Sequence, residues 1–355
     1  MAGGDLIFAD GFDSGSLTGW VDALDVWIAA GSSRISGSGS GLYISRTSTY
    51  FTAKAAIYTD IFDYTSEFLF GFAFKFGTVL DEIALIHFMD GATRNDWDTA
   101  QLSLYINNTG KLAFGRFHGD FTITVLATGT RTVSAGAWHY VEGKVKIHAS
   151  TGYVEIKLDG MEEISMTTSL DTTNTAANGA SVIALGMSDS TGGTTVSIDD
   201  FYLFDNAGNG MSYMGDIRVL DLVPTSDGAS SDFTPSTGVD NYATVDELPP
   251  VDSDYVYSNV IGHKDTYGLQ NLPANAAAVF AVMYVTRSFK TDAGARTLRN
   301  VMRQSGVDYE RADSDTAITL NASTTFYSET ANPATTVAYT VSDINDNEFG
   351  FKLQA

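Results

Sequence analysis

The stretch Trp138-His-Tyr-Val-Glu-Gly-Lys-Val-Lys-Ile147, followed by Gly152-Tyr-Val-Glu-Ile-Lys-Leu-Asp-Gly160, constrains the fold of this chain more than any other segment. In the first run Val141, Gly143, Val145 and Ile147 share one parity while Glu142, Lys144 and Lys146 take the other, the period of two that marks a half-buried strand. The second run repeats the alternation, with Val154, Ile156 and Leu158 set against Glu155, Lys157 and Asp159. It ends on Asp159-Gly160, a turn pair whose glycine accepts positive φ. Two matched strands joined by a short turn predict a hairpin. By this parity Glu142 and Glu155 face solvent, and Glu162-Glu163 alternates faces as surface.

A length of 355 residues is long for one domain and comfortable for two, each able to bury its own core. Hydrophobic residues at 44% and aromatics at 12% indicate packed globular structure, and abundant Thr, Ser, Gly, Tyr and Phe favour strands, so the predicted class is all-β. With 20 basic against 43 acidic residues, a formal charge of −23, and no basic patch, the chain is set against nucleic acid. Such an acidic surface aids solubility and can hold cations. The absence of cysteine excludes disulfides, thiolate metal sites and a thiol nucleophile. The opening Met-Ala-Gly-Gly-Asp-Leu-Ile-Phe-Ala-Asp has neither a basic n-region nor an apolar core, and no apolar run is long enough to span a bilayer, so neither a signal peptide nor membrane insertion is expected.

All 6 prolines lie at or beyond Pro224, and all 4 tryptophans, Trp20, Trp27, Trp97 and Trp138, lie before it. The run Val196-Ser-Ile-Asp-Asp-Phe-Tyr-Leu-Phe204 ends in Asp205-Asn-Ala-Gly-Asn-Gly210, a turn or linker by its Gly and Asn content. A first domain is therefore expected over 1–210 and a second over 211–355. Strand-like runs recur through the first, among them Glu67 to Phe76, Glu82 to Met89, Gln101 to Ile106 and Lys111 to Phe117, with turn residues between them, the signal of a sandwich. In the second, Gly215 to Leu222 reads as a strand and 225–255 as an irregular acidic, proline-containing arm. Further strands are predicted at Asp265 to Leu269, Ala276 to Thr286, Thr297 to Gln304, Thr316 to Leu320, Thr324 to Glu329 and Glu348 to Leu353.

The Trp-led strand, short turn and Asp-Gly ending resemble the central hairpin of laminin-G-like and concanavalin A-like jelly rolls, folds that mostly bind sugars or proteins. Met214-Gly-Asp-Ile-Arg-Val219, Val245-Asp-Glu-Leu-Pro-Pro-Val-Asp-Ser-Asp-Tyr-Val-Tyr257 and Lys264-Asp-Thr-Tyr-Gly-Leu-Gln-Asn-Leu-Pro273 resemble tailed-bacteriophage structural proteins, in which a concanavalin A-like domain precedes a small β-sandwich. This resemblance covers roughly residues 190–355. It implies an all-β chain with an N-terminal jelly roll and a smaller β-sandwich that docks on other virion proteins and on copies of itself, as a homo-oligomer on capsid, neck or tail. A chain without a secretion signal fits a virion component assembled in host cytoplasm.

Phe8-Ala-Asp-Gly-Phe-Asp13 and Ile198-Asp-Asp-Phe201 are similar to the opening and closing strands of jelly-roll binding modules, including MAM-type domains. There an acidic residue from each strand commonly holds a structural Ca²⁺, a hard cation bound by oxygen, so Asp10, Asp13, Asp199 and Asp200 are the candidate metal ligands. A cell-surface glycan platform needs aromatic faces beside carboxylates. Trp97, with Asp96 and Asp98 in a polar loop, and Tyr105 are its candidates. Trp20, Trp27 and Trp138 read as core. No run places two Glu and an Asp on one strand with acid and nucleophile about 5 Å apart, and no His-x-His, His-Glu-x-x-His or Gly-x-Ser-x-Gly motif occurs. His139 reads as edge surface, and a non-enzymatic role is expected.

Overall fold

The computed structural model describes residues 4–24, 26–30, 33–34, 40–45, 56–59, 64–77, 82–91, 99–118, 122–186 and 195–355. The chain divides into two compact units, Met1–Leu220 and Asp221–Ala355.

Among the described residues the first unit is built from β1 (Leu6–Asp10), β2 (Val21–Leu24), β3 (Val26–Ala30), β4 (Ser40–Ser45), β5 (Ala56–Thr59), β6 (Glu67–Phe76), β7 (Ile83–Met89), β8 (Ala100–Ile106), β9 (Lys111–Phe117), β10 (Ile123–Thr132), β11 (His139–Lys146), β12 (Gly152–Leu158), β13 (Met161–Leu170), β14 (Val182–Leu185) and β15 (Thr195–Asp205). Two antiparallel sheets result. One runs β13-β12-β11-β6-β15-β4-β3 with β1 also on β15, and the other runs β10-β9-β8-β7-β14-β5-β2. This is a concanavalin A-like jelly-roll sandwich. The predicted hairpin is β11–β12, with Val141 opposite Leu158 and Val145 opposite Val154. Strand β13, which lengthens the same sheet, lacks a clean apolar alternation and was not foreseen.

Strand β6 shows why the sandwich closes. Phe68, Phe70, Phe72, Phe74 and Phe76 fall on one parity and are essentially fully buried. Phe68 and Phe70 meet Phe88 of β7, across the core, at centroid distances of 5.2 and 5.5 Å. At about 1.5–3 kcal/mol per buried Phe side chain, this one stripe is a dominant driving force of the fold. The opposite parity of β6, Glu67, Leu69, Gly71, Ala73 and Lys75, lies on the outer face. Trp20 is buried among Phe8, Phe12 and Phe201, as its core reading requires. Trp138 is half-buried, with Lys75 Nζ 5.0 Å from its ring centroid.

The second unit contains β16 (Pro224–Ser231), β17 (Thr234–Pro235), β18 (Val256–Tyr257), β19 (Lys264–Leu269), β20 (Val282–Ser288), β21 (Thr297–Gln304), β22 (Val307–Glu310), β23 (Thr316–Ala317), β24 (Ser323–Glu329) and β25 (Glu348–Gln354). Its main sheet runs β16-β19-β25-β21-β22 with β23 on β21, and β20–β24 and β17–β18 form separate ribbons. Met302, Tyr339, Ile344 and Phe349 form its core, closed by Leu222, Leu269, Leu272, Val279, Val282 and Tyr284. One short helix, α1 (Val341–Asn345), is held by a capping box in which Thr340 and Asp343 exchange side-chain and main-chain hydrogen bonds.

Three expectations fail locally. The arm begins as a strand, β16, paired with β19. The strand expected from Ala276 starts only at Val282, because the preceding alanine-rich stretch finds no ladder partner. Residues 211–223 form no strand. Within the first unit, Met214, Gly215 and Val219 donate their main-chain N–H groups to carboxylates instead, and residues 206–220 shape the site below.

Candidate functional site

The outer face of the eight-stranded sheet carries a dense set of ionisable side chains. The register sets Glu142 of β11 opposite both Gly71 of β6 and Lys157 of β12, with Tyr202 of β15 also opposite Gly71. Gly71 is required here: a Cβ at this position would lie 2.6 Å from the Tyr202 ring. Tyr140, Glu142, Lys144 and Lys146 share the outward parity, joined by Tyr153, Glu155 and Lys157 from β12.

This face is closed by the chain itself. Segment 206–220 lies across it as a strap bonded to the sheet at several points. The Glu142 carboxylate accepts from Tyr202 O–H at 2.7 Å, from Met214 N–H at 2.5 Å and from Gly215 N–H at 3.2 Å. Lys144 Nζ donates to the Met211 carbonyl. The Tyr213 ring sits between Lys144 and Lys157, whose Nζ atoms lie 4.8 and 3.9 Å from its centroid, and its hydroxyl donates to Glu155 at 3.1 Å. Asn206 donates to the Tyr153 hydroxyl at 3.2 Å and accepts from Met211 N–H at 3.0 Å. Glu142 and Lys144 are therefore buried, only 3% and 7% exposed, which corrects the reading of Glu142 as solvent-facing. Parity identified the face; it could not identify what covers it. Burial raises the Glu142 carboxyl above its ordinary value, and burial, aided by nearby carboxylates, raises the Tyr153 and Tyr213 phenols. Glu163 is likewise not surface: its carboxylate is buried, accepts from Arg131 N–H at 2.7 Å and pairs with the Arg131 guanidinium at 2.6 Å.

The four candidate metal ligands lie beside the strap's far end. Asp10 accepts from Phe12 N–H and from the Trp20 indole N–H, both at 2.6 Å. Asp13 accepts from Ser40 N–H at 3.1 Å. Asp199 accepts from Arg34 N–H at 2.8 Å and from Asp200 N–H at 2.9 Å. Asp200, at positive φ (53°) in the irregularity where β15 leaves register with β6, is met by Arg34 Nε at 2.6 Å, Arg218 Nη1 at 2.8 Å and Val219 N–H at 2.8 Å. Arg34 also pairs with Asp216 at 2.6 Å and donates to the Ile217 carbonyl. Burial first, then the adjacent Asp199, pushes the Asp200 carboxyl up to about 7, against the lowering by Arg34. Asp13 and Asp199 are raised by burial.

This donor set does not fit Ca²⁺. Guanidinium groups from Arg34 and Arg218 supply the positive charge at Asp200, and no group of three or more Asp, Glu or His side chains among the described residues is arranged to hold a metal ion. Arg34 and Arg218 were missed from sequence because nothing local ties either to Asp200.

Of the glycan candidates, Asp96, Trp97 and Asp98 lie outside the described residues. Tyr105 is 1% exposed within an apolar cluster of Ala84, Met89, Ala113, Phe117, Val182 and Ala184, so its ring offers no stacking face. Its phenol is pushed up to about 12 by burial and by Glu82.

No protein-family model matches the chain, and no curated protein matches it. Among solved structures, similarity is found to the cellulose induced protein Cip1, at 14% identity and TM-score 0.42 over 56% of this chain and 97% of that one. A carbohydrate esterase from the Shiga toxin-encoding bacteriophage phi24B gives 14% identity and TM-score 0.41 over 57% and 98%. A botulinum neurotoxin type C structure, titled for its interaction with two ganglioside molecules, gives 11% identity and TM-score 0.40 over 86% and 72%. These values are too low to transfer an activity, a ligand or a family.

Proposed function

We propose that this chain is a structural component of a tailed-bacteriophage virion, a displayed jelly roll whose 221–355 unit docks on copies of itself and on neighbouring virion proteins. One observation carries the reading. Apart from Tyr64, Val125, Met161 and Met166, every large hydrophobic side chain that stands exposed among the described residues lies between Val239 and Val337. They concentrate on the arm and the end of β20. Tyr255 contacts Tyr257 and Phe289 at centroid distances of 6.2 and 5.7 Å, yet the three rings are 37%, 54% and 37% exposed. Leu248, Val251, Val260 and Ile261 stand exposed on the same stretch. Contiguous aromatic surface of this kind marks an interface, with tyrosine its preferred anchor. The resemblance of 190–355 to phage structural proteins supports the same reading. The outer face of the eight-stranded sheet is meanwhile occupied by the strap.

Mass photometry and sedimentation of the full chain test this, beside Tyr255→Asp/Tyr257→Asp. The expected result is a discrete oligomer that the double variant dissociates without losing its fold, together with incorporation of the wild-type chain into particles. A wild-type monomer at tens of micromolar that is absent from particles overturns the proposal. Glycan-array binding by such a monomer, lost in Trp97→Ala, would assign it instead to host-glycan recognition.

A further inference from the structure

Three side chains at the ends of the β11–β12 hairpin stand in line. Ser134 Oγ lies 3.0 Å from His139 Nε2, and His139 Nδ1 lies 2.9 Å from Asp159 Oδ2. The hairpin register builds this arrangement. With Val141 opposite Leu158, the residue that follows β12 falls beside the start of β11, where Asp159 N–H donates to the Tyr140 carbonyl at 2.8 Å and Asp159 Oδ1 accepts from Tyr140 N–H at 2.9 Å. One carboxylate oxygen is thereby fixed by the main chain, and the other is turned toward the imidazole. Asp159 holds this pose at φ 50°, a left-handed conformation that aspartate tolerates better than most residues. The imidazole rests against the Phe74 ring at 5.8 Å between centroids and is 13% exposed, while the turn carrying Ser134 is open to solvent.

We propose that Ser134, His139 and Asp159 form a nucleophilic triad that hydrolyses short-chain O-acyl esters. Asp159, accepting from Nδ1–H, selects the tautomer in which Nε2 takes the Ser134 hydroxyl proton. Ser134 Oγ then bonds to the acyl carbon as its carbonyl electrons move onto oxygen. The resulting imidazolium has a second acceptor, the Ser134 carbonyl, 3.1 Å from Nε2. The main-chain N–H groups of Ser134 and Ala135, adjacent in sequence to the nucleophile, are the candidate donors for the oxyanion. Collapse breaks the bond to the alkoxy oxygen, which leaves as the alcohol with the proton from Nε2. Water, deprotonated by the same nitrogen, frees the acid and restores Ser134. The exposed turn suits a small acyl group on a large, solvated carrier.

The test uses the full chain with a fluorophosphonate and with 4-nitrophenyl acetate. The expected results are a single adduct on the Ser134 peptide and ester hydrolysis that Ser134→Ala reduces by about 100-fold or more at unchanged melting temperature. Asp159 positions the imidazole without touching substrate, so Asp159→Asn should lower kcat and leave KM in place. No adduct, an adduct on another residue, or a wild type that hydrolyses no faster than Ser134→Ala overturns the proposal.

Discussion

Glu142→Ala should loosen the strap and destabilise the first unit by an amount that follows from its contacts. The substitution removes the acceptor of three donors, Tyr202 O–H, Met214 N–H and Gly215 N–H. An orphaned buried donor costs about 1–3 kcal/mol. The Tyr202 hydroxyl is buried and falls in the middle of that range, whereas the two strap amides can reach water once the strap lifts and fall near its lower end. The sum is roughly 3–5 kcal/mol, the same scale as removing one partner from a buried charged pair. For a unit of this size that is a fall in melting temperature of roughly 6–20 °C. Thermal melting by near-ultraviolet circular dichroism measures it, and amide exchange at Met214 and Gly215 localises it. Tyr202→Phe should be strongly non-additive with Glu142→Ala, by at least about 1 kcal/mol. A Glu142→Ala chain that loses under about 1 kcal/mol and keeps both amides protected would refute the account of the strap as pinned by this carboxylate.

Gly71→Ala places a Cβ 2.6 Å from the Tyr202 ring and should cost about 1–3 kcal/mol, a penalty that Tyr202→Leu relieves; equal melting of wild type and Gly71→Ala would contradict the packing. The Asp200 carboxyl, raised toward 7, binds its proton more tightly folded than unfolded. Its contribution to stability is therefore fully present below about pH 4 and lost as pH rises through 7. Between pH 5 and 8 the wild-type melting temperature should fall more steeply than that of Asp200→Asn, and parallel profiles would count against it. Because arginine supplies the cation at Asp200, neither Ca²⁺ nor a chelator should move the melting temperature, which calorimetric titration of the chelated protein can check.

The sandwich was legible because burial writes a period of two into its central strands. Glu67–Phe76 and Lys111–Phe117 fall where alternation and turn residues put them, as does the β11–β12 pairing. What sequence could not show is the second occupant of a polar face. Tyr140, Glu142 and Lys144 have the pattern of solvated positions whether water or a strap lies over them, and the strap has no periodicity because its amides bond carboxylates rather than a ladder. The four aspartates show a related limit: carboxylates close in space take whichever cation the fold delivers, and Arg34 reaches Asp200 from a distant part of the chain. His139 read as edge surface because its partners come from the turn before β11 and the turn after β12, and only the register unites them.

The strap is also the covalent route from β15 to the second unit, which gives it a mechanical role. Tension applied at residue 221 and beyond arrives first at Val219 and Arg218 on Asp200, then at Gly215 and Met214 on Glu142, then at Met211 on Lys144. Those attachments meet the force one after another, as in peeling. Strand β15, hydrogen-bonded to β6, β4 and β1, feels it only after they yield. Each released residue adds slack, so the segment would dissipate a pull on the second unit while leaving the jelly roll intact.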